Sequence, residues 1–288
     1  MAENLKALRR RLRTIRNTKQ ITRAMEMVSA AKLRRAQNAL FAGRPYASKL
    51  TDVLARLSAS GTVAHPLLAQ RELRQRWLVV VTADRGLAGA FNAQIIKQAE
   101  QFLRENPENV ALVCIGKKGF DYFRTKKWQI AWAVTDLNAR ISSQRANEIA
   151  DRLMESFLNE ETDEVLLLYN KFISTLVYRP ALEPILPLRA ITGQETETRS
   201  SVREYLLEPS PDAVLQALLP RFVRSKIFIM LAETFTAEHS ARMVAMSGAT
   251  RNCEELTDKL TLRLNKVRQA AITKEIIEIV SGAEALKA

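Results

Sequence analysis

Met243-Val-Ala-Met-Ser-Gly-Ala-Thr-Arg-Asn-Cys-Glu-Glu-Leu-Thr-Asp-Lys-Leu-Thr-Leu-Arg-Leu-Asn-Lys-Val-Arg-Gln-Ala-Ala271 decides the fold. Met243, Met246, Thr250, Cys253, Leu256, Leu260, Leu264, Val267 and Ala271 recur at intervals of three and four. That spacing gathers side chains on one face of an α-helix. A second register continues through Ile272, Ile276, Ile279, Ala283 and Leu286. From Arg221 to Ala288 there is no proline, and Gly248 and Gly282 are the only glycines. At 1.5 Å per residue such a segment would reach roughly 100 Å. No small globular core covers a helix of that length, so it needs a partner helix.

The other end of the chain supplies one. Leu5, Leu8, Leu12 and Ile15, then Ile21, Met25 and Val28, form an apolar stripe. The jump from Ile15 to Ile21 shifts its phase, which locally changes a supercoil. Gly43 and Pro45 are expected to bend or interrupt the helix, and the pattern resumes at Leu50, Val53, Leu54 and Leu57 before stopping near Ser60-Gly61. The expectation is an antiparallel coiled coil of residues 1–60 and 209–288 around a central domain of residues 75–190. Small and polar residues crowd both helices, which suggests close passage past other protein walls.

The 288 residues carry a net charge of +13. Residues 1–60 hold 14 Lys and Arg against Glu3, Glu26 and Asp52, an excess of 11. A basic rod suits an acidic partner: nucleic acid, an anionic membrane surface or an acidic protein. Cys114 and Cys253 lie far apart, no CxxC occurs, and His65 and His239 are isolated. Neither a metal site nor a disulfide framework is expected, and the usage fits a reducing compartment. The N-terminus lacks a signal-peptide core, and no apolar run approaches the 18 residues of a membrane span.

Between the helices the period changes. Trp77–Val81, Val110–Ile115, Ile130–Val134 and Glu164–Leu168 are short, continuous apolar runs, as expected of strands covered on both faces. Helical segments near Asn92–Glu105, Lys117–Lys126 and Ser143–Asn159 alternate with them. This predicts a Rossmann-like α/β domain with a mostly parallel sheet. A last strand near Val177–Leu188 carries Pro180, Pro184 and Pro187, which suits an edge. Residues 190–200 read as a polar loop. Ser210 or Asp212 caps the final helix.

Two turns invite a phosphate reading. Thr82-Ala-Asp-Arg-Gly-Leu-Ala-Gly-Ala-Phe-Asn92 follows the first strand, and Gly116-Lys-Lys-Gly119 follows the second. Neither fits GxGxxG or GxxxxGK[ST], and tight strand-to-helix turns explain both. No catalytic constellation and no cofactor motif is found. The basic N-terminal helix could contact nucleic acid, although the first forty residues lack aromatics for base stacking. From the residues alone three readings stand: a mechanical shaft, a basic coiled-coil nucleic-acid binder, and a nucleotide-binding enzyme built on the central domain.

Long segments then resemble the gamma subunits of F-type, proton-translocating ATP synthases of the bacterial kind. They are Asn17-Thr-Lys-Gln-Ile-Thr-Arg-Ala-Met25, Asp84-Arg-Gly-Leu-Ala-Gly89, Tyr205-Leu-Leu-Glu-Pro209, Ala241-Arg-Met-Val-Ala-Met246 and Arg268-Gln-Ala-Ala-Ile-Thr273. The resemblance runs over essentially the whole chain. It implies a central-stalk rotor without its own catalytic site. The terminal helices would stand inside a ring of three alpha and three beta subunits, with a foot on the epsilon subunit and the c-ring. The chain would then lie at the cytoplasmic face of the cell membrane as a peripheral subunit. By resemblance Met25 lies near an acidic lever loop of the beta subunits. Arg242, Arg268, Gln269, Thr273 and Glu275 match positions that meet the alpha/beta ring. Tyr205 and Glu208 belong to the foot. Gly248, Arg251 and Lys274 depart from the family pattern. Without the chloroplast cysteine insertion, thiol control is not expected.

Overall fold

A computed structural model describes residues 5–59, 65–137, 139, 142–188, 208 and 210–285. Helix α1 spans Leu5–Ala59, and a 3₁₀ turn follows at Pro66–Leu68. Then come β1 (Arg76–Val81), α2 (Phe91–Glu105), β2 (Val110–Ile115), α3 (Lys117–Thr125), β3 (Ile130–Val134), α4 (Ser143–Leu158), β4 (Glu164–Phe172), β5 (Tyr178–Leu186) and α5 (Pro211–Ala285). The expected loop of residues 190–200 lies outside the described residues.

The strand order is β3-β2-β1-β4-β5. The first four strands run parallel and β5 lies antiparallel against β4 at the edge. This is the doubly wound order of Rossmann-like sheets. Pro180 and Pro184 sit in that edge strand, where a missing N–H leaves no broken ladder.

Strand alternation sorts the core into two layers. Trp77, Val79 and Val81 of β1, Val113 and Ile115 of β2, and Val165, Leu167 and Tyr169 of β4 face one way. Leu78, Val80, Leu112, Cys114, Leu166 and Leu168 face the other and meet Ile95, Ala99 and Leu103 of α2 and Phe123 of α3. The first face is covered by Ile149, Leu153 and Phe157 of α4. It is also covered by Leu50 and Leu54 of α1 and by Leu215, Leu219, Val223, Ile227, Leu231 and Phe235 of α5. Both long helices are therefore structural layers of the α/β unit. The chain divides into two units, Ala30–Arg242 and Met1–Ser29 with Met243–Ala288.

Of the expected bend or interruption at Gly43 and Pro45, the interruption does not occur: α1 runs through both residues. Gly43 is a close-approach residue: a Cβ there would stand 3.1 Å from Ile229 Cδ1 and from Phe228 Cε1. Pro45 removes the donor for the Phe41 carbonyl, but Phe41 is exposed, so water can take its place. Ser210 is the cap of α5, its hydroxyl accepting from the Ala213 N–H at 3.2 Å.

In the second unit, α1 and α5 pair in antiparallel fashion. Leu8, Leu12 and Ile15 pack on Leu260, Leu264 and Val267. The expected phase shift after Ile15 does not occur. Ile21 and Val28 are exposed, and Thr22 and Ser29 are buried in their place. Leu8, Ile15, Thr22 and Ser29 form one seven-residue series. Met246, Cys253, Leu260 and Val267 form its counterpart on α5, with Thr257 half-buried where Leu256 was expected. Polar seam positions carry their own bonds: the Thr250 hydroxyl donates to Thr22 Oγ1 at 2.9 Å, and the Thr22 hydroxyl to the Lys19 carbonyl at 3.0 Å.

Candidate partner-binding surfaces

Past Val267 the character of α5 changes. Arg268, Gln269, Thr273 and Glu275 are all exposed. So are Ile272, Ile276, Ile277, Ile279 and Val280, with exposures of 48–71%. At about 100° per residue these five apolar side chains cover roughly 160° of the helix surface. Gln269 and Thr273 fall inside that arc, and Arg268 and Glu275 on one margin. Thr273 keeps its hydroxyl on the Gln269 carbonyl at 2.9 Å, and Lys274 pairs with Glu278 at 3.5 Å in the open. Exposed apolar side chains grouped on one side of a helix make a candidate interaction surface. The structure thus brings together four of the eight residues expected from the sequence. Met25 is half-buried on α1, flanked by exposed Met27 and Val28.

Arg242 stands apart from that group. It is 9% exposed and belongs to the α/β unit. One of its terminal nitrogens donates to Glu238 Oε1 at 2.7 Å and to the Arg85 carbonyl at 3.3 Å, and its Nε donates to the Gly86 carbonyl at 3.3 Å. Its guanidinium ties α5 to the β1–α2 turn. Burial holds the Glu238 carboxyl above the usual range, against the pull of Arg242. Beside it, burial lowers the His239 imidazole to about 4, so that the ring is neutral at pH 7. His239 Nε2 lies 3.1 Å from the Ala139 carbonyl and Nδ1 has no partner among the described residues. Glu208 is exposed, and Tyr205 lies outside the described residues.

The glycine turns prove to be packing devices. Gly116 sits at φ +98°, and a Cβ there would fall 2.1 Å from the Thr82 carbonyl oxygen. At Gly119 a Cβ would come 2.9 Å from the Thr82 side chain. The amides at the start of α3, which a phosphate would need, are already occupied. Asp84 Oδ1 accepts from the Lys117 N–H at 3.0 Å and Thr82 Oγ1 from the Gly119 N–H at 2.9 Å. Asp84 also accepts from the Asp136 N–H at 3.1 Å, so one carboxylate holds three turns together. Among the described residues no helix is long and apolar enough to cross a membrane.

Reading apolar residues alone misses Glu233, Glu238 and Ser240, all buried on α5. The available signal was their position: charged and hydroxyl residues inside a helix stretch lacking the usual polar outer face.

A two-helix coil with an uncovered apolar end, joined in sequence to a mostly parallel α/β sheet, fits the class of subunits that work within a larger assembly. The family model described as ATP synthase matches residues 4–286. The ATP synthase gamma chain of Moorella thermoacetica is 45% identical over 285 residues, covering 99% of this chain and 99% of that one. The gamma chain of Desulforamulus reducens is 46% identical over 281 residues, covering 97% and 98%. A rotor chain of the Euglena gracilis mitochondrial ATP synthase superposes with a TM-score of 0.65 at 19% identity, over 93% of this chain and 98% of that chain. At that identity the likeness speaks for the fold. The chain belongs to the ATP synthase gamma chain family.

Proposed function

We propose that this chain is the central-stalk rotor of a bacterial, proton-coupled ATP synthase. It carries torque between a membrane ring of c subunits and a catalytic ring of three alpha and three beta subunits, and holds no catalytic site itself. Its place is peripheral, at the cytoplasmic face of the cell membrane. The observation that carries this reading is the free end of α5, with Ile272, Ile276, Ile277, Ile279 and Val280 uncovered by the chain itself.

A ring of partners closing on that end would bury the arc, with Arg268, Gln269, Thr273 and Glu275 as contacts. Met25 is the contact from α1. A partner shifts a conformational equilibrium only by binding its states differently. A shaft that is apolar on one side and polar on the other presents a different surface to each catalytic subunit as it turns. The +11 excess of residues 1–60 complements acidic partners. Arg242 serves inside the chain, and Tyr205 and Glu208 are assigned to the foot, toward the epsilon subunit and the c-ring.

Co-expression with alpha and beta subunits tests the reading. Cysteines at positions 25 and 269 should crosslink to the ring, and the isolated chain should hydrolyse no ATP. Failure to co-purify with both subunits would overturn it.

A further inference from the structure

Residues 230–242 of α5 are buried on every side, although the stretch contains Glu233, Glu238, His239, Ser240 and Arg242. A helix enclosed all round is normally apolar. Thr234 and Thr236 satisfy themselves, each bonding the carbonyl four residues back. Four other side chains reach four different elements. Glu233 Oε1 accepts from the Arg44 guanidinium of α1 at 2.9 Å. His239 Nε2 meets the Ala139 carbonyl between β3 and α4. The Ser240 hydroxyl donates to the Thr175 carbonyl in the β4–β5 hairpin. Arg242 donates to the Arg85 and Gly86 carbonyls between β1 and α2.

We propose that these four anchors are an anti-rotation clamp, which locks α5 about its own axis to the α/β unit so that torque on that unit passes into the helix. The inference rests on the rotor reading above. At about 100° per residue, Glu233, Ser240, His239 and Arg242 spread over roughly half the helix circumference, within an axial span of about 14 Å. Buried Met230, Ala237 and Ala241 fill the opposite side. Apolar contacts are non-directional, whereas hydrogen bonds weaken steeply as they are bent, so the four anchors add angular definition to the packing.

The composition argues the same way. Glu233 Oε2 and His239 Nδ1 are buried without partners among the described residues. Apolar replacements for buried ion pairs are commonly neutral or stabilising. Polar groups held here at a cost to stability fit a role in fixing angle.

The test uses the assembled complex, with a bead attached through a cysteine at exposed Gln101 on α2 and the catalytic ring stalled by a nonhydrolysable ATP analogue. The readout is the angular variance of the bead. Losing two of four directional ties in the variant Glu233→Leu/Ser240→Ala, which removes the acceptor for Arg44 and the donor to Thr175, should raise it by up to about twofold. Ser240→Ala alone should raise it less. Phe157→Leu, which loosens the core without touching an anchor, should leave it unchanged and guards against a general softening. If the double variant does not assemble, Ser240→Ala decides. A bead that turns with ATP but keeps its variance in the anchor variants overturns the clamp alone. A wild-type bead that never turns overturns the rotor reading, and the clamp with it.

Discussion

Replacing Gly116 by alanine should cripple the α/β unit. The backbone there lies at φ +98°, a region L side chains rarely adopt, at a cost of about 1–3 kcal/mol. The new Cβ would overlap the Thr82 carbonyl oxygen at 2.1 Å, and that atom is backbone, so it cannot rotate aside. Moving Thr82 loosens its bond from the Gly119 N–H, worth on the order of 1 kcal/mol. The sum is about 2–4 kcal/mol before the overlap itself is counted. For a unit of some two hundred residues each kcal/mol lowers Tm by about 2–4 °C, so the expected fall is roughly 10 °C. Differential scanning calorimetry and urea titration of the purified chain measure it. A loss below about 1 kcal/mol would refute the reasoning, because neither the strain nor the overlap could then be real. Isothermal titration with ATP or phosphate should meanwhile give no heat assignable to this turn, since Asp84 and Thr82 already hold the Lys117 and Gly119 amides.

Leu54→Ala, in α1 but fully buried against the sheet, should destabilise the isolated chain by about 2–5 kcal/mol in urea unfolding. Ile276→Ser and Ile279→Ser should leave that stability within about 0.5 kcal/mol, yet reduce co-purification with alpha and beta subunits; unaltered assembly would count against the proposed contact. His239 has its folded value depressed to about 4, so its contribution is complete above pH 6.5 and drains away as pH falls toward 4. Removing it with His239→Gln should flatten the acid limb of wild-type stability by about 3 kcal/mol over that window, seen as a difference between the two urea curves. Glu238, with its value raised, acts in the opposite sense, which is why the difference and not the wild-type curve is diagnostic.

The sheet was legible because its strands are covered on both faces. Runs such as Trp77–Val81 then need no alternation to be recognised, and Pro180 and Pro184 marked β5 as an edge. The long helices were legible from apolar period and the scarcity of breakers. Their seam was not, because a stripe drawn through Ile21 and Val28 ignores that Thr22 and Ser29 can fill a tight contact between helices. Polar side chains that find partners inside the pair carry no hydropathy signal. The same blindness hid the buried residues around Glu238, whose partners, such as the Arg85 and Thr175 carbonyls, come from distant turns and are backbone atoms. Gly43 and Pro45 do not interrupt α1 for a different reason: Gly43 lies where α5 packs close, a Cβ there standing 3.1 Å from the Ile229 side chain, and tertiary packing overrides the weak local preference. The exposed arc at the end of α5 was visible as a second register, although only the folded structure shows that the chain leaves it bare.

One face of the sheet takes its cover from Leu50 and Leu54 near the start of the chain and from Leu215 to Phe235 near its end. During synthesis the five strands therefore leave the ribosome before half of their lid exists. At translation speeds of about 5–20 residues per second, Val79, Val113 and Leu167 wait several seconds for that lid. A nascent chain stopped short of residue 235 consequently leaves part of that apolar face bare, the kind of surface on which incompletely made chains stick to one another.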